Sequence, residues 1–132
     1  MLYRDLIKLE TEPGKRIDIT KDVENVVKKS NIKEGLCNVF FPGTTAGLIL
    51  NENDIMLMND FERFFESFSP QNRLYQHAEN AYSHIRGSVA KCEVTIPVSN
   101  GKLILGEWQN IIFWEFDTRD RSRTIVITIS GK

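Results

Sequence analysis

The chain holds two histidines, His77 and His84, in the run His77-Ala-Glu-Asn-Ala-Tyr-Ser-His84. Imidazole titrates near neutral pH and is a common zinc ligand, so these side chains are the first candidates for proton transfer or metal binding. On a continuous helix their Cα atoms would stand ~10.5 Å apart along the axis. That gap strains joint coordination at ~2.0–2.1 Å. Shared metal binding therefore requires a segment that is partly extended or turned. Glu79, between them, can act as a third ligand or as an acid or base, or simply face solvent. No cysteine joins the pair.

Three further groups could meet a ligand. Pro42-Gly43-Thr44-Thr45-Ala46-Gly47 places small and hydroxyl-bearing residues between two apolar runs. The backbone N–H groups and hydroxyls of Thr44 and Thr45 suit an anion, and an unliganded turn fits the same residues equally. No Gly-Lys-Ser/Thr follows, so the segment is not a P-loop. Arg86 lies two residues after His84, where an extended segment would project both side chains from one face. A guanidinium there is the natural bidentate partner of a phosphate. Trp108 and Gln109, in Gly106-Glu-Trp-Gln109, offer an indole for stacking or for an interface. Asn51-Glu52-Asn53 closes an apolar strand and can cap the next helix or hold a site residue.

The elements that must position these groups follow from periodicity. Tyr3–Glu10 and Arg16–Thr20 alternate around a Pro13-Gly14 turn, which predicts a hairpin. Val23, Val26 and Val27 then recur at helical spacing, with Lys28 and Lys29 in the last turn and Asn31 and Gly35 at the close. Leu36–Phe41 and Thr45–Leu50 read as strands. Asp54–Phe68 reads as a second helix whose Ile55, Met58, Phe61, Phe64, Phe65 and Phe68 form a core-facing stripe. The stretch Gln71–Ala90 is polar and without clean period. Strands at Glu93–Val98, Lys102–Leu105, Ile111–Phe116 and Thr124–Ile129 suggest an antiparallel meander. The fold class is α+β: antiparallel-rich β layers with two main helices packed on one side.

A length of 132 residues predicts one domain, 1–132, around a single core. The hydrophobic fraction of 41% and charged fraction of 27% are those of a globular protein. A net charge of −1, from 17 basic and 18 acidic residues, argues against a phosphate-neutralising nucleic-acid surface. Arg119, Arg121 and Arg123, interrupted by Asp117 and Asp120, read as a solvated hairpin loop. Cys37 and Cys92 sit in apolar alternation and read as buried free thiols. No secretory h-region and no membrane-spanning run is visible, so a cytoplasmic protein without membrane association is expected.

Taken together, Thr44-Thr45-Ala46-Gly47-Leu48, Asn51-Glu52-Asn53, Tyr75-x-His77, Ser83-His84-Ile85-Arg86-x-Ser88, Pro97-Val98 and Gly106-x-Trp108-Gln109 resemble the YjbQ-like family. Its members are often labelled secondary thiamine-phosphate synthase. The match in order and approximate spacing runs from about Phe40 to Gly131. The resemblance implies a homotrimer and a polar pocket that holds a divalent metal ion, zinc, near the histidine segment. It implies a transferase activity joining a pyrimidine diphosphate to a thiazole phosphate. It places His77 and His84 on the metal, and His84, His77 and Glu79 in the chemistry. Thr44, Thr45, Arg86, Ser88, Trp108, Gln109 and Glu52 fall to the substrate. This sequence departs from many members by carrying Gly43 where they have a histidine, and by a shorter stretch between its histidines, in which Glu79-Asn80 replaces a Glu-Gly pair. The expectation is a small metal-binding enzyme acting on a phosphorylated small molecule. A catalytically silent homotrimeric ligand-binding protein is the alternative, and turnover separates the two.

Overall fold

Alternation along long strands builds the larger of two sheets. The computed structural model describes all 132 residues, Met1–Lys132. β1 (Leu2–Thr11) turns Tyr3, Ile7 and Leu9 inward and pairs along its whole length with the last strand, β8 (Arg121–Gly131). β8 buries Ile125, Ile127 and Ile129 on the same face. β3 (Gly35–Phe40) pairs with β8 on its other side, and β5 (Glu93–Ser99) and the short β6 (Lys102–Leu103) continue the sheet. The order is β1-β8-β3-β5-β6, all antiparallel.

The second sheet has the order β2-β7-β4, with β2 at Arg16–Asp18, β4 at Ala46–Asn51 and β7 at Asn110–Glu115. The central β7 and the neighbouring β4 are covered on both faces, which explains their nearly unbroken apolar runs. Leu48, Ile111 and Phe113 face the main core between the sheets, whereas Ile49, Ile112 and Trp114 face outward under α2 (Ile55–Phe68). α1 (Thr20–Ser30) seals the main core with Val23, Val26 and Val27. α3 (Ala81–Val89) lies along β4. Asp54 caps α2, accepting a hydrogen bond from the Leu57 N–H at 3.0 Å.

The α+β class and the antiparallel layers agree with the sequence reading, and several local expectations change. β1 and β2 do not form a hairpin with each other, since β1 pairs with β8 and β2 with β7. The late strands are divided between the two sheets and form no meander. The polar stretch before β5 contains a third helix, α3. Of the α2 stripe only Met58 and Phe65 are buried, and Ile55, Phe64 and Phe68 stay exposed. Cys37 is buried, and desolvation pushes its thiol up to about 12, but Cys92 is exposed. No helix is long and apolar enough to cross a membrane.

Candidate functional site

His77 precedes α3 and His84 lies within it, so the chain turns between them. The Ala81 N–H donates to the His77 carbonyl at 3.2 Å, and the helix begins there. This turn brings the imidazoles edge to face, with ring centroids 5.1 Å apart. Two imidazoles on one tetrahedral zinc, each nitrogen at ~2.0–2.1 Å, would have centroids about 5 Å apart. The spacing therefore suits two ligands of one ion. No third His, Cys, Asp or Glu completes such a group within the chain. Glu79 is exposed and does not join the pair.

His84 also lines a cavity of about 360 Å³ with Gly43, Thr44, Gly87, Ser88, Ala90 and Cys92. α3 approaches β4 this closely because its inward residues are small. A Cβ on Gly87 would stand 3.0 Å from the Ala46 carbonyl oxygen and 3.1 Å from that of Thr44. Gly43 has a different reason: a Cβ there would lie 2.2 Å from the Phe41 ring. Phe41 packs edge-on against Phe113 and under the Arg123 guanidinium. A side chain at position 43 would have to displace that ring.

The two threonines separate. Thr44 is exposed at the cavity, while Thr45 is buried in a charged network. Arg123 grips Glu115 with two hydrogen bonds, Nε to Oε1 at 2.7 Å and an η-nitrogen to Oε2 at 2.5 Å, and donates to the Thr45 hydroxyl at 2.8 Å. The Thr11 hydroxyl donates to Glu115 at 2.6 Å. The Thr45 hydroxyl in turn donates to Asp117 at 3.1 Å, and Arg121 pairs with the same carboxylate. Burial pushes the Asp117 carboxyl up, but hydrogen bonds from the Thr118 N–H, Thr45, Arg121 and Asn80 outweigh it and hold the group below its ordinary value. Asp117 thus holds the Thr44-Thr45 turn through the Thr45 hydroxyl, while Ser83 of α3 donates to the carbonyl of the neighbouring residue, Phe116. Both walls of the cavity are fixed from beneath by these contacts.

This network overturns the solvated-loop expectation for Asp117 and Arg123. The signal was available: Arg123 is in phase with the inward residues Ile125, Ile127 and Ile129, and Glu115 sits inside the apolar run Ile111–Phe116. A charge on a buried strand face needs a buried partner, and each supplies the other's.

The remaining candidates lie elsewhere. Helical geometry sends Arg86 to a different side from His84, since residues two apart diverge by about 200°. Arg86 pairs with Glu66 at 2.7 Å, donates to the Ser69 carbonyl at 2.9 Å and stacks on Tyr82. It lines a separate cavity of about 240 Å³ with Glu62, Glu66 and Gln71. Replacing it with alanine should lower stability by roughly 1–3 kcal/mol through these lost charged hydrogen bonds. Anion affinity at the Thr44–His84 cavity should not change, and paired denaturant and phosphate titrations check both. Trp108 and Gln109 follow β6, and Asn110 pairs with Asn51. They and Glu52 therefore stand at the far end of β4, about 17 Å of strand from Ala46. Trp108 is 64% exposed. Gln109 braces the loop, its side-chain oxygen accepting from the Gly106 N–H at 2.8 Å.

With this geometry in view, comparison with known proteins gives a consistent result. A family model described as UPF0047 protein YjbQ-like matches residues 5–132. A UPF0047 protein of Methanocaldococcus jannaschii is 34% identical over 100% of this chain and 99% of its own. The UPF0047 protein YugU of Bacillus subtilis is 38% identical over 92% of this chain and 93% of its own. Among solved structures, a YbjQ-like protein of unknown function from Sulfolobus solfataricus superimposes with a TM-score of 0.90 at 31% identity, covering 100% of both chains.

Proposed function

The chain belongs to the YjbQ-like UPF0047 family, and on that premise we propose that it is a small metal-binding enzyme acting on a phosphorylated small molecule. The observation that carries this reading is the His77–His84 pair, 5.1 Å between ring centroids, beside a cavity that His84 itself lines. The pair fits two positions of a divalent ion, zinc being the natural occupant of imidazole nitrogens. Such an ion would supply neutralisation of negative charge on a phosphate or diphosphate. The Thr44 hydroxyl at the cavity is suited to hydrogen-bond a phosphate, while the Ser88 hydroxyl donates to the His84 carbonyl at 3.0 Å and keeps only acceptor capacity. Weak thiamine-phosphate synthase activity and a homotrimeric assembly belong to the same proposal, on the strength of the family resemblance.

Calorimetric titration tests the ligand class. Zinc-loaded wild type should bind a phosphorylated metabolite at least about tenfold more tightly than its dephosphorylated counterpart, the equivalent of one charge-assisted hydrogen bond. Thr44→Val should reduce that preference. Equal affinity for both forms rejects the phosphorylated substrate.

A further inference from the structure

We propose that the site is completed by a second copy of this chain, whose Trp108 loop seats at the cavity lined by Thr44, His84 and Cys92. The inference rests on reading that cavity as the functional site. Within one chain the groups suited to a ligand fall at two ends of β4, separated by about 17 Å of extended strand. The histidine end has two imidazoles and no third ligand. The other end has the carboxylate of Glu52 and an indole, and each end lacks what the other presents.

The shapes agree with a knob and a hole. Trp108 is 64% exposed and Ile104, on the same loop, 57%. The loop is held in shape by Gln109, which accepts from the Gly106 N–H at 2.8 Å and donates its own N–H to the Gly106 carbonyl at 3.1 Å. An aromatic side chain projecting from a braced loop and lodging in a pocket is the usual anchor of a protein interface. The cavity, about 360 Å³ and walled by glycine, alanine and small hydroxyl residues, has room for an indole without displacing a bulky side chain. Charge agrees as well. The exposed Glu107 precedes the indole and Glu52 follows Asn51, which pairs with Asn110, while the exposed Lys91 stands between the cavity residues Ala90 and Cys92. Because knob and hole occupy different places on the surface, the contact is head-to-tail, and such a contact builds a ring when its rotation closes and an open filament when it does not.

Thiol cross-linking reads this contact directly. Cys37 is buried and Cys92 is the one exposed thiol, already at the cavity. Trp108→Cys, treated with a short bismaleimide, should give a ladder of covalently linked chains beyond the dimer, because every copy carries both reactive ends. Glu107→Cys, which keeps the indole, should give the same ladder if loss of Trp108 loosens the assembly. Adding Cys92→Ser should abolish linkage in both. Unlinked chains from both variants, or linkage that survives Cys92→Ser, would overturn the proposal. Cross-linking needs neither metal nor phosphorylated ligand. A ladder without zinc binding rejects the functional reading alone, and zinc binding without a ladder rejects only the shared site.

Discussion

Replacing Glu115 with glutamine should lower the unfolding free energy by about 3–5 kcal/mol, the usual cost of stranding one member of a buried ion pair. Glu115 is fully buried and Arg123 is 6% exposed. The carboxylate accepts from Arg123 twice, from Thr11 and from the Asp117 N–H. A neutral amide cannot accept at all of these places or balance the guanidinium. The sheet ends that meet here, β1, β7 and β8, would lose a common anchor. Removing both charges, as Glu115→Leu with Arg123→Met, should recover a large part of the loss because no unpaired charge remains. Urea unfolding decides the matter: a loss below about 1 kcal/mol would place the pair with ordinary exposed salt bridges. The same measurement against pH tests Asp117. Its carboxyl is held below the ordinary value, so its contribution is present above the unfolded carboxylate range and is lost as pH falls through the folded value. Asp117→Asn should therefore be less stable near neutrality and show a shallower acid limb.

How much of this was legible in the sequence depends on which face of an element carries the signal. β3, β4, β5, β7 and β8 were readable because alternating or continuous apolar runs are what half-buried and fully buried strands require. α1 was readable from three valines at helical spacing. α3 was not, because its buried residues are Ala81, Tyr82 and Ser83 and its closest approach to β4 is through Gly87. A helix packed through small residues against backbone has no apolar stripe to detect. Strand partners are hidden too: alternation gives a strand its faces and says nothing about its neighbours, so the turn at Pro13-Gly14 suggests a β1–β2 hairpin although β1 pairs with β8 and β2 with β7. The candidate site was half legible. Residue chemistry singled out His77, His84 and Thr44, which do gather at one end of β4. The assignment of Arg86 failed because it assumed an extended backbone where the chain is helical, and a change of period from two to 3.6 turns a neighbour away.

Replacing His84 with alanine should reduce zinc affinity by at least about a hundredfold, more than is lost when a partner outside the ligand set is removed. The argument starts from donor count. The chain gathers two imidazoles and no further His, Cys, Asp or Glu around them, so one substitution removes half of the donors a single chain can offer. His77→Ala should be equally severe, since the two rings would share one ion. Glu79→Gln should have little effect, because Glu79 is exposed and outside the pair despite lying between the histidines in sequence. Arg86→Ala should leave metal binding intact, its guanidinium being committed to Glu66, Ser69 and Tyr82. This ordering distinguishes a built ligand pair from two adjacent polar rings, because proximity in sequence alone would make Glu79 and Arg86 matter too. Zinc titration of tag-free protein, with circular dichroism on each variant, gives the comparison. His77 is exposed and His84 half-buried, so neither alanine variant should unfold the chain. A wild type that binds no divalent ion at micromolar concentration would reject the metal reading. The paired imidazoles beside the cavity would then be left with proton transfer as the chemistry their geometry supports.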